Sequence, residues 1–325
     1  MKLRNESILV TGAAGFIGSN LVQRLLDSNN RVIGYDNFDN YYVGKEKNIA
    51  QYLGHPNFTL VKSDILDFER LSAAMKDVNF VFHLAAQPGV RFSAENPWKT
   101  SSTNVEGTLN ILLAAERNKI ERVVFASSSA VYGEPSEMPC SESQPTSPLS
   151  VYGVSKLAGE DYCLTFFRSL GLPVVMLRYH TVYGPRQRPD MAIYKFTKAL
   201  FEGKSPIVYG DGEQTRDFTY VNDVVEGSLL AAEKEEAEGQ VFNIGGGCPV
   251  TVNNVIKLLT ILLGKEDTHV IYQDEKPGDA RHTYADIRKA MDLLGYKPKT
   301  KIEDGLEEFV KWFRTYRLSQ DSANK

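Results

Sequence analysis

The chain has 325 residues, of which 42% are hydrophobic, and a formal net charge of −4 at pH 7. This length accommodates one large α/β unit or two domains, and the apolar content excludes a disordered chain. The slightly acidic balance gives no support for a nucleic-acid partner. No run approaches the ~20 apolar residues of a membrane span, and the start MKLRNESILVTG carries no signal-peptide pattern.

The cysteines and histidines indicate neither a disulfide scaffold nor a metal site. Cys140, Cys163 and Cys248 are widely spaced and form no C-x-x-C motif. Such an odd, scattered set predicts free thiols in a reducing cytoplasm. The five histidines show no metal-ligand spacing. We therefore expect a cytoplasmic protein without a metal.

The first half of the chain alternates short apolar runs with helical patterns. Residues 16–26 predict a helix, because apolar side chains recur on one face. Near-continuous apolar strands separated by helices predict a Rossmann-type, doubly wound parallel sheet of the α/β class. The predicted strands are residues 7–10, 31–35, 58–61, 80–85, 122–127 and 173–179.

The pattern changes after Arg178, where YGPRQRPD and YGDGEQTRD are predicted as loops rather than sheet. DVVEGSLLAAE then predicts a helix and QVFNIGG a strand, and both return to the first sheet. We therefore expect a first domain of residues 1–180 plus about 219–247. Residues 181–218 and 248–325 are expected to form a smaller C-terminal α/β domain that binds the substrate.

A glycine-rich turn between the first strand and the first helix predicts a dinucleotide site. Gly12, Gly15 and Gly18 form a G-x-x-G-x-x-G motif. Glycines allow the backbone to approach a pyrophosphate, which then lies at the amide-rich helix N-terminus. Asp36 ends the second strand, where a carboxylate binds both adenosine ribose hydroxyls and repels a 2′-phosphate. This favours NAD over NADP.

Two further strand ends supply residues suited to the same cofactor. Asp64 follows the third strand, near the expected adenine edge, and Ala85 and Ala86 follow the fourth. Small residues at this position leave room for the dinucleotide. These assignments are equally compatible with ordinary packing.

Tyr152 and Lys156 lie one helical turn apart in SPLSVYGVSKLAGE, so their side chains share one face. A free tyrosine has a pKa of about 10, too high for a base at neutral pH. A neighbouring cation favours the phenolate and brings the pKa closer to the working pH. Beside a nicotinamide cofactor this pair is expected to work as base and tuner. Ser127, Ser128 and Ser129 at the fifth strand end supply hydroxyls that relay a proton or hold a substrate oxygen.

Motifs along nearly the whole chain resemble the extended short-chain dehydrogenase/reductase family, in particular its nucleotide-sugar epimerases and dehydratases. They are TGAAGFIG, HLAA, NVEGT, SSSAVYG, YGVSK, RYHTVYGPR, GDGEQTRDFTYVNDV and PGDARHTYAD. The resemblance implies bound NAD+, a UDP-sugar between two domains and hydride transfer from the sugar. It also implies Tyr152 as base, Lys156 as its tuner and Ser128 as relay. Relatives are often homodimers joined by helices of the first domain, so a homodimer is expected.

The resemblance also implies which residues meet each ligand. Asn104 and Lys156 would hold the nicotinamide ribose, while Arg216 and Arg281 would neutralise the diphosphate. The expected cofactor contacts are Gly12, Gly15, Phe16, Ile17, Gly18, Asp36, Asp64, Ile65, Leu84, Ala85, Ala86, Asn104, Ser127, Tyr152 and Lys156. The expected substrate contacts are Arg91, Ser128, Ser129, Tyr152, Thr181, Arg188, Tyr209, Arg216, Asp279, Arg281 and Thr283.

The chemistry within this family divides at SSSAVYG. In dehydratases the stretch resembles TDEVYG, with an Asp–Glu pair, and in decarboxylases it resembles TSEVYG, with a glutamate. Here the equivalent residues are Ser128, Ser129 and Ala130, and Ala130 cannot transfer a proton. That departure favours the C4 epimerases. The stretch RPDMA resembles UDP-glucuronate 4-epimerases, and Arg188 is the candidate partner of the sugar carboxylate, with Thr181 as a hydroxyl partner. Arg91 is a second candidate for the sugar or phosphate region.

Other assignments stay open at this stage. Arg186 and Arg188 are also compatible with a structural or phosphate-binding loop, and His180 stands where relatives more often carry phenylalanine. The small Thr283 leaves space for an N-acetyl group, so UDP-N-acetylglucosamine is an alternative substrate, and UDP-glucose is a further alternative. A UDP-glucuronate decarboxylase and a silent NAD-binding sensor are less favoured alternatives.

Overall fold

The computed structural model describes residues 3–275 and 280–323 of the chain, and side chains within the last helix up to residue 318. Its strands are β1 Ser7–Thr11, β2 Arg31–Asp36, β3 Phe58–Lys62, β4 Phe80–His83, β5 Arg122–Ser128, β6 Val174–Tyr179, β7 Val182–Tyr183, β8 Ile207–Tyr209, β9 Thr215–Asp217, β10 Thr219–Tyr220, β11 Gln240–Ile244, β12 Pro249–Thr251 and β13 Ile271–Gln273.

The α-helices are α1 Phe16–Leu26, α2 Lys45–Ile49, α3 Phe68–Ala74, α4 Val90–Glu95, α5 Pro97–Ser101, α6 Gly107–Arg117, α7 Val151–Leu170, α8 Ala192–Phe201, α9 Val221–Glu233, α10 Val252–Leu263, α11 Arg288–Leu294 and α12 Ile302–Ala323. A π-helical turn, Ser102–Glu106, joins α5 to α6. No helix in the described ranges is long and apolar enough to cross a membrane.

A seven-stranded parallel sheet organises the chain, in the order β11-β6-β5-β4-β1-β2-β3. The strand order reverses between β1 and β4, which pair in parallel with Thr11 opposite His83. In doubly wound sheets, ligands bind at this switch point, outside the carboxyl ends of the strands. The α/β class and the Rossmann-type sheet expected from the sequence are confirmed.

Side-chain alternation along the buried strands divides the core between the two faces of the sheet. Ile8 and Val10 of β1 pack into one apolar cluster, which includes residues of α1 and α9. Leu9 faces the other cluster, which includes residues of α3, α6 and α7. Because successive strand residues point to opposite faces, one apolar strand serves both layers.

The segments QVFNIGG and DVVEGSLLAAE return to the main sheet, as the sequence predicted. β11 pairs in parallel with β6, with Asn243 opposite Arg178. α9 follows two very short strands and packs beside α1. After β6 the chain therefore forms loops and two-stranded ribbons, and it then returns to the edge of the main sheet as β11.

The prediction of loops without sheet for YGPRQRPD and YGDGEQTRD was wrong in part. Thr215–Asp217 forms β9, which pairs antiparallel with β12, and Ile207–Tyr209 forms β8, which pairs with β13. Tyr183 belongs to β7, which pairs with β10. These two-residue and three-residue strands depend on partners distant in sequence, so local periodicity does not reveal them. The fourth predicted strand also ends earlier, at His83.

Candidate active site

A cavity of about 310 Å³ lies where the glycine turn, the ends of the first strands and the start of α7 meet. Most of the cofactor contacts predicted from the sequence line it. They are Gly12, Gly15, Phe16, Ile17, Gly18, Asp36, Asp64, Ile65, Leu84, Ala85, Ala86, Ser127, Tyr152 and Lys156.

The glycine turn is packed too closely for any larger residue. Gly12 has a φ of +69°, and a Cβ on Gly18 would lie 2.1 Å from the carbonyl oxygen of Gly12. A Cβ on Gly15 would lie 3.0 Å from the same oxygen. The missing side chains bring the start of α1 against β1 and leave backbone amides at the cavity wall. This is the cradle that a dinucleotide pyrophosphate requires, so the residues present fit NAD.

Asp36 lies at the end of β2 and is 7% exposed. Its carboxylate accepts hydrogen bonds from the backbone N–H groups of Ala14 at 2.9 Å and Phe38 at 2.8 Å. Burial raises the pKa of this carboxyl, while these N–H groups and Lys45 oppose the rise. The two amides orient the carboxylate at the cavity wall, and its remaining lone pairs suit a ribose diol.

Tyr152 stands in the first turn of α7, which begins after the N-cap Ser150. The Ser150 hydroxyl accepts a hydrogen bond from the Gly153 N–H at 3.0 Å. Tyr152 lines both the cofactor cavity and a neighbouring larger cavity. Burial raises the pKa of its phenol, and Arg188 and a hydrogen bond with Ser128 act in the opposite direction. The phenol thus occupies the boundary between the two cavities.

Lys156 lies buried one turn after Tyr152 on α7. Its ammonium donates to the carbonyl oxygen of Ala126 at 2.8 Å and lies 5.0 Å from the centre of the Phe125 ring. Burial lowers its pKa to about 8. Arg188, from a distant loop, is a second cation that favours the phenolate. Lys156 lines only the cofactor cavity.

A buried ion pair lies directly behind the serine-rich strand end. Arg178 Nη2 donates to Glu160 Oε2 at 2.7 Å, and both side chains are almost fully buried. The Ser127 hydroxyl donates to the same carboxylate. Arg178 also lies 4.6 Å from the centre of the Tyr132 ring. The pair therefore orients Ser127 at the cavity wall and satisfies its hydroxyl proton.

Asn104 is buried and hydrogen-bonded to its neighbours, and its contact with the nicotinamide ribose stays a prediction. Its amide oxygen accepts from the Gln87 N–H at 2.6 Å, and its NH₂ donates to the Gln87 carbonyl and the Ser155 hydroxyl. These contacts use both amide hydrogens, and Asn104 is absent from the described walls of both cavities. Its place in the structure is to fix the 84–88 loop against α7.

The second cavity, of about 660 Å³, opens from Tyr152 toward the ribbons that follow β6. It holds space for a nucleotide sugar, and it contains most of the predicted substrate contacts. These are Arg91, Ser128, Ser129, Tyr152, Thr181, Arg188, Tyr209, Arg216 and Arg281.

Two predicted diphosphate ligands lie at the outer part of this cavity and are already engaged. Arg216 donates to the carbonyl oxygens of Thr215 and Arg281, both at 2.9 Å. Arg281 pairs with Asp211 at 2.7 Å and Glu275 at 2.6 Å. These ion pairs are largely exposed, so their net contribution to stability is small. A diphosphate bound here would compete with Asp211 and Glu275 for the Arg281 guanidinium.

The remaining predicted substrate residues lie outside the described cavity wall. The Thr283 hydroxyl accepts from the Asp217 N–H at 3.2 Å, and Thr283 is not among the residues lining either cavity. The hydroxyl tethers the Thr283 segment to β9, and contact of Thr283 with the sugar stays a prediction. Asp279 lies outside the described residues.

Residues that the sequence reasoning did not assign complete the wall near Arg188. Arg188 Nε donates to Asp190 Oδ1 at 2.9 Å, and the Tyr41 hydroxyl donates to Asp190 Oδ2 at the same distance. Asp190 stands within the RPDMA motif, two residues after Arg188. Nothing in the sequence near Tyr41 indicated that it reaches a loop 149 residues away.

The described residues contain no group of three or more histidines, cysteines, aspartates or glutamates placed to hold a metal ion. Cys140 and Cys163 are buried and Cys248 is exposed, all as free thiols. The charged and polar groups near Tyr152 are instead the hydroxyl of Ser128, the ammonium of Lys156 and the guanidinium of Arg188.

Comparison with known proteins identifies this arrangement. The family described as GDP-mannose 4,6 dehydratase matches residues 9–309. The chain belongs to this family. The family resemblance stated for the sequence, to extended short-chain dehydrogenases/reductases that act on nucleotide sugars, is thereby confirmed.

Named relatives include epimerases of several UDP-sugars. The chain is 39% identical over 337 residues to UDP-glucuronate 4-epimerase 4 of Arabidopsis thaliana, with 98% of this chain and 77% of that one covered. The structure of UDP-glucuronic acid 4-epimerase from Bacillus cereus with UDP-glucuronic acid and NAD is 39% identical, with a TM-score of 0.90 and 95% and 99% coverage. UDP-N-acetylglucosamine 4-epimerase from Methanobrevibacter ruminantium M1, with UDP-N-acetylmuramic acid, is 39% identical, with a TM-score of 0.91 and 96% and 99% coverage.

The glycine cradle generates a direct test of the cofactor site. Gly18→Ala places a methyl group against the Gly12 carbonyl oxygen, so α1 has to move away from β1. We expect at least about tenfold weaker NAD binding, or ~1.4 kcal/mol, measured by calorimetric titration of cofactor-free protein whose folding is checked by circular dichroism. Gly54→Ala is the matched control, because no atom lies within 4 Å of the added Cβ. Equal NAD affinity in both variants would contradict the cradle.

Proposed function

We propose that this member of the family interconverts UDP-glucuronate and UDP-galacturonate by inverting C4. The chain is an NAD-dependent UDP-sugar 4-epimerase, an isomerase. What carries the choice of sugar is the guanidinium of Arg188, which lines the same cavity as Tyr152 and Ser128. A carboxylate at C6 of the sugar is the natural partner for such a group.

The chemistry assigns one task to each group around the phenol. When bound, NAD would supply a reversible acceptor for the C4 hydride. Tyr152, as phenolate, takes the proton of the 4-hydroxyl and later gives it back to the alkoxide of the epimer. Ser128, hydrogen-bonded to Tyr152, relays this proton, and Ser129 hydrogen-bonds the sugar. No net oxidation results, because the hydride and the proton both return to the sugar.

Epimerisation also requires the 4-ketosugar to rotate within the cavity, so that its opposite face meets the cofactor. The fixed end of the substrate is the diphosphate, for which Arg216 and Arg281 are the proposed partners. The sugar end contacts shorter groups, Ser129 and Thr181, and the movable carboxylate pairs with Arg188. Ala130, which also lines this cavity, carries no acid for elimination of water or for decarboxylation.

The direct experiment is to incubate purified protein, without added NAD, with UDP-glucuronate, UDP-glucose or UDP-N-acetylglucosamine. We expect the galacto epimer of UDP-glucuronate to form fastest, without net NADH or CO₂. Tyr152→Phe is expected to abolish turnover of every substrate while NAD stays bound. CO₂ release would indicate a decarboxylase, and faster turnover of an uncharged sugar would contradict the proposed substrate.

Arg188→Ala separates carboxylate recognition from general damage within the same assay. We expect kcat/KM for UDP-glucuronate to fall at least about tenfold more than kcat/KM for UDP-glucose, because only the former leaves a charge unpaired. The ratio cancels any effect on Tyr152, since both substrates use the same base. Equal losses on the two substrates would make Arg188 a structural or diphosphate residue.

We further propose a homodimer formed through α6 and α7. Val154 and Tyr162 lie two helical turns apart on one face of α7 and are 54% and 37% exposed. Leu113 of the neighbouring α6 is 41% exposed. Two adjacent helices with exposed apolar stripes suit a second copy of the same pair, because a twofold axis then builds a four-helix contact.

Sedimentation velocity tests this association. We expect the parent protein to sediment as a dimer and Leu113→Glu as a monomer, because the carboxylate would be buried against its symmetry mate. The control is Leu53→Glu, which alters a leucine that is 58% exposed elsewhere on the surface and should leave the dimer intact. A monomeric parent, or a dimer that persists in Leu113→Glu, would contradict this interface.

The domain division and the cellular location are also proposals. Residues 1–180 with about 219–247 would bind NAD, and 181–218 with 248–325 would bind the nucleotide sugar. The ribbons formed by β8 with β13 and by β9 with β12 support a separate substrate unit. Free thiols support a reducing cytoplasmic compartment.

A further inference from the structure

The loop after β2 reaches across the cofactor cavity to the loop that carries Arg188. Consecutive Asx-type turns shape it: the Asp39 N–H donates to Asn37 Oδ1 at 2.8 Å, and the Tyr41 N–H donates to Asp39 Oδ1 at 2.9 Å. Lys99 pairs with Asp39 at 2.6 Å, and Lys45 donates to the Asp39 carbonyl oxygen at 2.7 Å. These bonds fix the position from which Tyr41 projects.

The Tyr41 ring is held on two sides. It packs edge-on against Phe92, with ring centres 4.9 Å apart. A Cβ on Gly89, whose φ is +101°, would lie 2.6 Å from the Tyr41 hydroxyl oxygen. Burial raises the pKa of Tyr41 to about 12, so its hydroxyl stays protonated and remains a donor. The acceptor of that proton is Asp190 Oδ2, at 2.9 Å.

Asp190 in turn binds one edge of the Arg188 guanidinium. Arg188 Nε donates to Oδ1 at 2.9 Å and Nη2 to Oδ2 at 3.1 Å, which is a bidentate pair. Burial opposes ionisation of Asp190, but Arg188 and Tyr41 outweigh it and hold its pKa below the usual value. Nη1 has no hydrogen-bond partner within the described ranges, and Arg188 lines both cavities. One guanidinium edge is therefore fixed by protein and the other is left for a ligand.

We propose that Tyr41 and Asp190 are positioning residues, which hold Arg188 so that its Nη1 edge meets the substrate's acidic group beside Tyr152. This inference rests on the proposed function for the identity of that group. It goes beyond the proposed function in one respect. The loop that follows Asp36 determines the position of Arg188, the arginine proposed to bind the substrate. The hydrogen bonds from Tyr41 to Asp190 and from Arg188 to Asp190 then link the cofactor cavity to the group that recognises the sugar.

The test compares Tyr41→Phe and Asp190→Asn in NAD-loaded enzyme. We expect each variant to lower the ratio of kcat/KM for UDP-glucuronate to kcat/KM for UDP-glucose about fivefold or more. The double variant should lose no more than Asp190→Asn alone, because the two residues act through one contact. Additive losses, or an unchanged ratio in both single variants, would overturn the proposal.

The matched control is Tyr52→Phe. The Tyr52 hydroxyl accepts from Arg186 Nη2 at 3.1 Å, so it supports the neighbouring arginine of the same loop. Tyr52 lines neither cavity, and we expect Tyr52→Phe to leave the substrate ratio within twofold of the parent. A loss equal to that of Tyr41→Phe would show that the ratio reports only loop stability, and it would overturn the proposal.

A second measurement needs no sugar and separates this proposal from the choice of substrate. Arg188 favours the Tyr152 phenolate, and the charged or titratable groups that act on Arg188 include Asp190, Tyr41 and Tyr42. If Arg188 loses its position, the phenolate loses that support and the pKa of Tyr152 rises. Ultraviolet titration of NAD-loaded Tyr41→Phe, against the same protein with Tyr152→Phe, should place ionisation of Tyr152 at higher pH than in the parent.

The two measurements together distinguish failure of the proposed substrate from failure of the positioning role. A shifted titration with no turnover of UDP-glucuronate in the parent would refute the proposed substrate and retain the positioning role. An unshifted titration together with an unchanged substrate ratio would refute the positioning role, whichever sugar the enzyme uses.

Discussion

Burial of the Tyr152 phenol sets the requirement that the rest of the site has to meet. A phenolate in a poorly hydrated cavity is unfavourable, so a base at this position depends on nearby positive charge and hydrogen-bond donors. The structure supplies them from separate parts of the chain. Ser128 comes from the end of β5, and Arg188 comes from the loop after β7. The capped start of α7 holds the phenol where these groups and the cofactor cavity converge.

The two cavities differ in how tightly their walls are packed. The cofactor half is built from close backbone contacts, such as that of Gly18 with Gly12, which leave little freedom for the group they hold. The substrate half has arginines at its outer end and short hydroxyl side chains near the phenol. An epimerase needs this contrast, because the hydride has to return to the opposite face of a sugar that remains tethered by its nucleotide. Arg188 and Tyr152 are among the residues that line both cavities.

The sequence predicted the features that local chemistry determines. Apolar runs located the main strands, and the glycine spacing located the cofactor turn, because periodicity and backbone clearance act over a few residues. It could not predict β9, whose partner Pro249–Thr251 lies far along the chain. It also could not predict that the Asn104 amide donates to Gln87 and Ser155, or that the Thr283 hydroxyl accepts from Asp217, because these partners are distant in the sequence. Lys156 is one turn from Tyr152 in the sequence, whereas Arg188, a further cation that favours the phenolate, comes from a loop that only the fold brings near.

In the proposed mechanism Tyr152 removes only the hydroxyl proton, while the hydrogen on C4 stays within the enzyme and returns to the sugar. UDP-glucuronate labelled with deuterium at C4, incubated in ordinary water with the product analysed by NMR, tests this step. We expect UDP-galacturonate to keep the deuterium at C4. Replacement of that deuterium by solvent hydrogen would show that C4 exchanges as a proton, and it would contradict the hydride mechanism.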